Sequence, residues 1–172
     1  MADFATAFEY LMRFEDDGMT GRVTTDAGGR TRFGVAEKFH PGLSSLGYYD
    51  SMDKARAITF AMDCYREGEW HTMQGDKISS QELANKMLSL GVNLGMVRVI
   101  RWAQEAADVK ADGQVGQATL AAWNSDSATP FKGISMDAEA HYRQRAAIDP
   151  ANAKYVLGWV RRAQDPATME TA

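Results

Sequence analysis

The chain from residue 14 to residue 35 reads FEDDGMTGRVTTDAGGRTRFGV, a stretch rich in glycine, hydroxyl and charged side chains. The stretch before it is different, because large apolar residues recur there at the spacing of one helical face: Phe4, Phe8, Leu11 and Met12. This periodicity predicts an amphipathic helix over residues 3–15. Glu15 would then be the last residue of a rigid helix that faces a polar, glycine-rich segment.

Two short polar runs inside this stretch alternate threonine with arginine, at residues 22–25 and 30–33. They flank the sequence Asp-Ala-Gly-Gly at residues 26–29, which suits a tight turn. Runs of this kind on either side of a turn predict a small β-hairpin. A glycine-rich loop is the alternative, because it has a similar composition.

The rest of the chain shows helical periodicity almost throughout. A helix is predicted from Ser51 to Trp70, and the next is predicted to begin at Ser79 in a capping box with Glu82. Other predicted features are a helix after Gly95, a short helix through residues 119–123, a loop at 124–134, helices at 135–148 and 152–164, and a frayed tail from Pro166. The fold class predicted from these patterns is mainly α.

Composition argues against several classes of function. The 172 residues carry a net charge of −4, and neither half is basic enough for a nucleic-acid footprint. The single cysteine, Cys64, allows no internal disulfide and is predicted to be a buried thiol. His40, His71 and His141 lack the spacing of metal ligands, so no metal site is predicted. No apolar run approaches the roughly 18 residues that a membrane-spanning helix requires, so no membrane insertion is expected.

Glu15 is the candidate catalytic residue. A carboxyl group that apolar neighbours shield from water holds its proton more tightly, and it can then donate that proton to a leaving oxygen. Asp26 and Thr31 follow eleven and sixteen positions later, in a segment that can fold back over the same cleft. Most glycosidases need two carboxyl groups in different protonation states. On spacing alone, an ordinary acidic helix end followed by a glycine-rich loop explains the pattern equally well.

The run from Phe14 to Val35 resembles the signature of glycoside hydrolase family 108. These are lysozyme-like N-acetylmuramidases that occur in phage endolysins and prophage regions. The catalytic glutamate of the family falls on Glu15, and its loop aspartate and threonine fall on Asp26 and Thr31. The resemblance implies a mainly α, lysozyme-like fold of two lobes with a small β-hairpin near the active site.

The match departs from the family pattern at three positions. Asp16 and Asp17 stand where the family usually has glycines, and Ala27 replaces a proline. The proton donor itself is retained, so the assignment of Glu15 stands and only the conformation of the loop is affected.

The second half of the chain resembles the small peptidoglycan-binding region that accompanies this family. The matching positions are Val-Asn-Leu-Gly at 92–95, Gln104, Asp-Gly-x-Val-Gly-x-x-Thr-Leu at 112–120, and Gly158, Trp159 and Arg161. The implied organisation is a catalytic region at 1–90, a helical region at 91–165 packed into the same body, and a tail at 166–172. Two interpretations of residues 91–165 stay open, since the region either binds glycan or completes the helical core.

Four more residues are candidates for substrate binding. Asn93 carries an amide that can hydrogen-bond an N-acetyl group, and Tyr48 and Tyr49 follow a glycine in a loop where aromatic rings can contact sugars. Arg30 beside Thr31 can bind carboxylates of the peptide stem, although a solvated surface arginine is the ordinary interpretation. Three of the four tryptophans are predicted to be structural, because a tryptophan on a helical stripe usually belongs to the core.

The resemblance implies hydrolysis of the β-1,4 bond between N-acetylmuramic acid and N-acetylglucosamine. Glu15 would protonate the glycosidic oxygen, while Asp26 and Thr31 would position a water or stabilise the oxocarbenium charge. The expected partner is bacterial peptidoglycan, with no cofactor and with a monomeric enzyme. Two alternatives are a lytic transglycosylase and a non-catalytic peptidoglycan-binding or secretion-associated protein.

The N-terminal residues show no signal-peptide pattern, since Met1–Asp3 carries no basic region and no apolar run follows. The expected location is therefore the cytoplasm of the producing cell until release to the cell wall, as for a phage or prophage lysin.

Overall fold

The computed structural model describes residues 1–26 and 29–169, and the side chain of Asp26 lies outside the described part. Within these residues the chain forms eight α-helices and a three-stranded antiparallel sheet. The helices are α1 (Phe4–Glu15), α2 (Gly42–Ser45), α3 (Lys54–Tyr65), α4 (Gln81–Leu94), α5 (Met96–Ala106), α6 (Gln117–Ser125), α7 (Ala128–Ile148) and α8 (Val156–Gln164). The strands are β1 (Thr24–Asp26), β2 (Gly29–Arg32) and β3 (Val35–Ala36). The prediction of a mainly α fold with a small hairpin is confirmed.

Helix α1 forms where the apolar periodicity predicts it and ends at Glu15. The carboxylate of Asp3 caps its first turn by accepting a hydrogen bond from the backbone N–H of Thr6 at 2.8 Å. Phe8 and Leu11 are buried on the inner face. The helix is therefore fixed at its start and along its length, so the position of its last residue is well defined.

The sheet lies directly after the loop that follows α1. Strand β1 pairs with β2, with Thr24 opposite Thr31, and β2 pairs with β3, with Arg32 opposite Val35. The sequence patterns did not predict the third strand. The buried side chain of Arg32 donates hydrogen bonds to the carbonyl oxygens of Tyr48 at 2.7 Å and Met52 at 2.9 Å. These bonds tie the sheet to the segment that precedes α3.

Helix α4 runs through the centre of the molecule and packs against α1, α5, α7 and α8. Its cap is Ser80, whose hydroxyl accepts from the backbone N–H of Leu83 at 3.2 Å. The prediction of Ser79 as the cap is wrong by one residue, because the Ser79 hydroxyl bonds Asn124 at 3.0 Å instead. The boundary predicted between residues 90 and 91 falls inside this helix. One core cluster contains side chains from both sides of that boundary.

Three other predictions need correction. Helix α7 begins at Ala128, inside the predicted loop, where the carboxylate of Asp126 accepts from the backbone N–H groups of the first turn. The predicted helix at 152–164 is divided into a 3-10 segment, Pro150–Tyr155, and α8.

The tail predicted to fray from Pro166 packs on the body as far as it is described, because Ala167 is buried and its carbonyl accepts from the side chain of Asn85 at 2.9 Å. No helix among the described residues combines the length and apolar character needed to cross a membrane.

Candidate active site

Glu15 lies in the wall of a cavity of about 600 Å³. A volume of this size is typical of a small-ligand site. The end of α1, the end of α4 and the segment around α8 enclose the cavity, whose lining residues are Arg13, Phe14, Glu15, Asp17, Asn93, Tyr155, Gly158, Trp159, Arg161, Arg162 and Asp165. The helix end that the sequence pattern singled out is thus part of a concave, mostly polar surface.

The turn between β2 and β3 packs directly against Glu15. Gly34 has a left-handed backbone with φ of 73°, and a Cβ atom built there would lie 3.1 Å from both Cβ and Cγ of Glu15. The same atom would collide with the hydroxyl of Tyr65, which donates to the carbonyl of Phe33 at 3.1 Å. Glycine is required here both for the backbone conformation and for the space that the carboxyl side chain occupies.

Arg162 on α8 contacts the carboxyl group of Glu15. Its Nη2 atom lies 2.7 Å from Oε1 of Glu15, and the two side chains are only 7% and 19% exposed. The guanidinium also lies 4.8 Å from the ring centre of Phe14, and Nη1 donates to the carbonyl of Ser89 at 3.4 Å. An ion pair this sheltered from water is held in one geometry much more firmly than a surface pair.

The end of α8 that carries Arg162 is fixed by a buried lysine. The Lys86 side chain is fully buried, and Nζ donates to the carbonyl oxygens of Arg162 at 3.1 Å, Ala163 at 3.0 Å and Asp165. Burial lowers the pKa of Lys86 to about 8. Because carbonyl groups at a helix end lack partners within the helix, this side chain supplies the donors that they need.

Asn93 lies in the same cavity, as predicted for a substrate-binding residue. Its Oδ1 atom accepts a hydrogen bond from the hydroxyl of Tyr142 at 2.7 Å. Burial raises the pKa of Tyr142 to about 12, so its hydroxyl remains a donor at neutral pH. This bond fixes the orientation of the amide and leaves its NH₂ group as the donor for a carbonyl oxygen of a ligand.

Asp16, which replaces a family glycine, is used inside its own loop. Its carboxylate accepts hydrogen bonds from the backbone N–H groups of Thr20 at 3.0 Å and Gly21 at 2.7 Å, and from the Thr20 hydroxyl at 2.6 Å. The extra carboxylate therefore stabilises the chain reversal after α1.

The two predicted partners of Glu15 lie on the sheet. Thr31 is half-buried on β2, three residues before Gly34, which contacts Glu15. Asp26 ends β1, but its side chain lies outside the described residues. Among the described residues, the cavity lining does not include Thr31, and the groups that it places around Glu15 come mainly from α4 and α8.

Three predicted sugar-contacting residues lie elsewhere. The structure buries Tyr48 and Tyr49, which are 0% and 4% exposed, and the Tyr48 hydroxyl donates to the carbonyl of Arg32. Arg30 pairs with Glu37 at 2.7 Å and with Asp50 at 2.5 Å, so its charge is neutralised within the chain. The guanidinium holds the pKa of Glu37 at about 2. We therefore assign these side chains to the core and to the support of the sheet.

Sequence reasoning missed Arg162, Tyr142 and Lys86. A signal for Arg162 was available, because it follows Trp159 by three positions and precedes Ala163 on the buried face of α8. A charged residue on the apolar face of a helix needs a partner of opposite charge. Which partner it finds depends on tertiary packing across 147 positions of sequence.

Comparison with known proteins gives two family matches and a structural neighbour. The family model described as Glycosyl hydrolase 108 matches residues 10–95, and the one described as Predicted Peptidoglycan domain matches residues 98–164. The solved structure of SagA from Brucella abortus is 20% identical, with a TM-score of 0.62, and the alignment covers 96% of this chain and 98% of that chain. At this identity the likeness concerns the fold alone. No curated protein is significantly similar in sequence.

Proposed function

The chain belongs to the glycosyl hydrolase 108 family and is a glycosidase that acts on peptidoglycan; from that premise we propose a muramidase with Glu15 as its general acid. The proposed reaction is hydrolysis of the β-1,4 bond between N-acetylmuramic acid and N-acetylglucosamine. The observation that carries this proposal is the position of Glu15, at the end of a rigid helix and in the wall of a cavity of about 600 Å³.

Two contacts hold the side chain of Glu15 in place. Its Cβ and Cγ atoms occupy the space beside Gly34, and Arg162 binds Oε1 at 2.7 Å. Within the described residues Oε2 forms no hydrogen bond, so this is the oxygen that we assign to carry the proton toward the glycosidic oxygen. A side chain held in this way presents its acid in a fixed geometry, which general acid catalysis requires.

Arg162 acts as a positioning residue in this proposal. Proton transfer to the leaving oxygen leaves a negative charge on Glu15, and the guanidinium stabilises that charge as it forms. The interaction is effective because both side chains are largely removed from water, where screening is weak. When Glu15 is protonated on Oε2, Oε1 accepts a hydrogen bond from Arg162, and this contact becomes a full ion pair as the proton leaves. The transition state then gains more from Arg162 than the protonated ground state does, which is the condition for an increase in rate.

Asp26 and Thr31 keep the roles that the family resemblance implies. They position the attacking water or stabilise the oxocarbenium charge from the sheet side of Glu15. Asn93 would donate its NH₂ group to the carbonyl of an N-acetyl substituent, because its Oδ1 atom already binds Tyr142. With these roles, donors and acceptors from both sequence regions surround the scissile bond.

The test of the catalytic assignment is Glu15→Gln, measured as release of reducing ends from purified peptidoglycan. We expect activity to fall by about a thousandfold, because the amide keeps the shape of the side chain and has no proton to give. Glu9→Gln is the matched control, since Glu9 is an exposed residue of the same helix and should retain full activity. Parental activity in Glu15→Gln would leave Glu15 without a catalytic role.

The bond and the nucleophile are tested by mass spectrometry of the products. A muramidase releases fragments with a reducing N-acetylmuramic acid end, which borohydride converts to muramitol. A lytic transglycosylase, which also needs only one carboxyl group, would release 1,6-anhydro ends that borohydride does not reduce. Reducing N-acetylglucosamine ends would identify a glucosaminidase.

A further inference from the structure

Three aromatic rings form a continuous stack, and they come from α7, from the 3-10 segment Pro150–Tyr155 and from α8. The ring centre of Trp159 lies 5.3 Å from that of Tyr142, at an interplanar angle of 24°, and 5.6 Å from that of Tyr155, at 29°. Near-parallel rings at these separations make an offset stack, which is a favourable arrangement. Tyr155 and Trp159 are four positions apart, so the local helical geometry brings them together.

This stack runs from the core to the cavity that contains Glu15. Tyr142 is fully buried and is held by its bond to Asn93, Trp159 is half-buried, and Tyr155 is 49% exposed. The inner ring therefore fixes the two outer rings, both of which line the cavity. The result is a rigid aromatic surface next to the proposed acid.

Charged donors accompany the two outer rings. The guanidinium of Arg145 lies 5.1 Å from the ring centre of Trp159, and Nζ of Lys154 lies 4.8 Å from that of Tyr155. Arg13 and Arg161 also line the cavity. Trp159 lies between the rings of Tyr142 and Tyr155, so the outer face of Tyr155, over which the exposed side chain of Lys154 lies, is the surface that a sugar can contact once that lysine moves aside. A pyranose ring suits such a face, because it presents an apolar C–H face bordered by hydroxyl and carbonyl oxygens. The carboxylate groups of a peptidoglycan strand are suited to the arginines.

We propose that Tyr155 and Trp159 form a sugar-binding subsite that holds an N-acetylhexosamine ring of the glycan strand beside Glu15. The inference rests on the proposed function, because the occupant is the strand that Glu15 would cut. Its consequence is that the region matched at residues 98–164 contributes its glycan contact inside the active-site cavity. The sequence leaves open whether residues 91–165 bind glycan or complete the helical core. Under this proposal the same helices do both.

The test is Tyr155→Ala against Tyr155→Phe in the full-length chain. Binding of the tetrasaccharide of two N-acetylglucosaminyl-N-acetylmuramic acid units is measured by calorimetry in the Glu15→Gln background, and KM for soluble glycan strands is measured with Glu15 present. We expect Tyr155→Ala to weaken binding and to raise KM by about fivefold each, which corresponds to about 1 kcal/mol, with kcat within twofold, since stacking acts equally in the ground and transition states. Tyr155→Phe keeps the ring and should bind within twofold of its parent.

Leu157→Ala is the matched control, because Leu157 is 83% exposed on the same segment and is not among the residues that line the cavity in the described part of the chain. Tyr155→Ala with an unchanged dissociation constant and unchanged KM would overturn the subsite, as would a parent chain that does not bind the tetrasaccharide. If Glu15→Gln remains active while Tyr155→Ala still raises KM, the catalytic assignment fails and the subsite stands. If Glu15→Gln is inactive and Tyr155→Ala matches its parent in both measurements, only the subsite fails.

Discussion

Two regions meet at Glu15, and they contact it in opposite ways. On the sheet side, Cβ and Cγ of Glu15 occupy the space that a side chain at residue 34 would need, so the contact requires glycine at that position. On the α8 side the contact is an ion pair of 2.7 Å with Arg162, supported by Ser89 and Phe14. The sheet therefore limits where the stem of the glutamate lies, and α8 determines how its carboxyl group is oriented.

The sheet side of the site thus acts on the position of Glu15, whereas the α8 side provides the positive charge that faces its carboxyl group. The sheet region supplies the family signature, and α8 belongs to the region matched as a peptidoglycan domain. A mutation on the sheet side should act through the position of Glu15, whereas a mutation on the α8 side should act through the charge that Glu15 carries. The catalytic unit consequently extends over both regions of the chain.

Among variants that leave Glu15 itself unchanged, the largest effect is expected for Arg162→Met, which removes the guanidinium but keeps an apolar side chain over Phe14. We expect kcat to fall by about a hundredfold with KM within threefold, because the lost interaction strengthens as charge develops on Glu15. Arg162→Lys keeps the positive charge, so its kcat should be about tenfold higher than that of Arg162→Met. The measurement is steady-state kinetics on soluble glycan strands, with a thermal melt of each variant.

The control for loss of an ion-paired arginine is Arg143→Met, since Arg143 pairs with Glu139 on an exposed face of α7 at 2.7 Å. This exposed pair should contribute little to stability and nothing to kcat. A rise in KM with parental kcat for Arg162→Met would contradict a positioning role, and so would a failure of lysine to restore any activity in a folded chain.

A smaller effect is expected for Gly34→Ala. The added methyl group meets the stem of Glu15 and the hydroxyl of Tyr65, and the left-handed backbone adds strain of about 1 kcal/mol. We expect a loss of about 2 to 3 kcal/mol in the free energy of unfolding and a roughly tenfold fall in kcat, since Glu15 must shift. Chemical denaturation and kinetics measure the two quantities.

Gly18→Ala is the control for Gly34→Ala, because it introduces the same backbone strain without a steric clash. Gly18 has a φ of 76°, close to the 73° of Gly34, and a Cβ there meets no atom of the described residues within 4 Å. This variant should lose about 1 kcal/mol of stability and retain its kcat. If the two alanine variants behave alike, the packing of Gly34 on Glu15 has no role in activity.

The difference between the two regions also explains what the sequence could predict. Helix α1, its end at Glu15 and the hairpin depend on local periodicity and turn residues, and these predictions were confirmed. The family signature drew attention to Asp26 and Thr31, which are close to Glu15 in sequence. The α8 side of the site was missed because Arg162 meets Glu15, and Tyr142 meets Asn93, only after α7 and α8 pack on α4.

Tertiary packing also determines the role of side chains that were predicted to bind substrate from their residue type alone. Tyr48, Tyr49 and Arg30 have the chemistry of sugar-binding residues, and their sequence neighbours are those of an exposed loop. The structure places the two rings in the core and pairs the arginine with Glu37, because Arg32 draws this segment onto the sheet through two backbone carbonyls. Residue type predicted what these groups can bind, whereas their partners were determined by packing.

The smallest effect on activity is expected for Lys86→Met, which weakens the support of α8 without entering the cavity. The three carbonyl groups at the end of α8 lose their donor, so at pH 7 the free energy of unfolding should fall by about 2 kcal/mol and kcat by about threefold.

The pH dependence of stability gives a sharper test of the role of Lys86. The folded-state pKa of Lys86 is about 8 against an ordinary value of 10.5, so between these values the unfolded state binds a proton that the folded state lacks. The parent should therefore gain stability over Lys86→Met as the pH rises from 8 to 10.5, by up to roughly 3 kcal/mol. Urea denaturation of both chains across this range measures the difference, and a constant difference would mean that burial imposes no cost on the charge of Lys86.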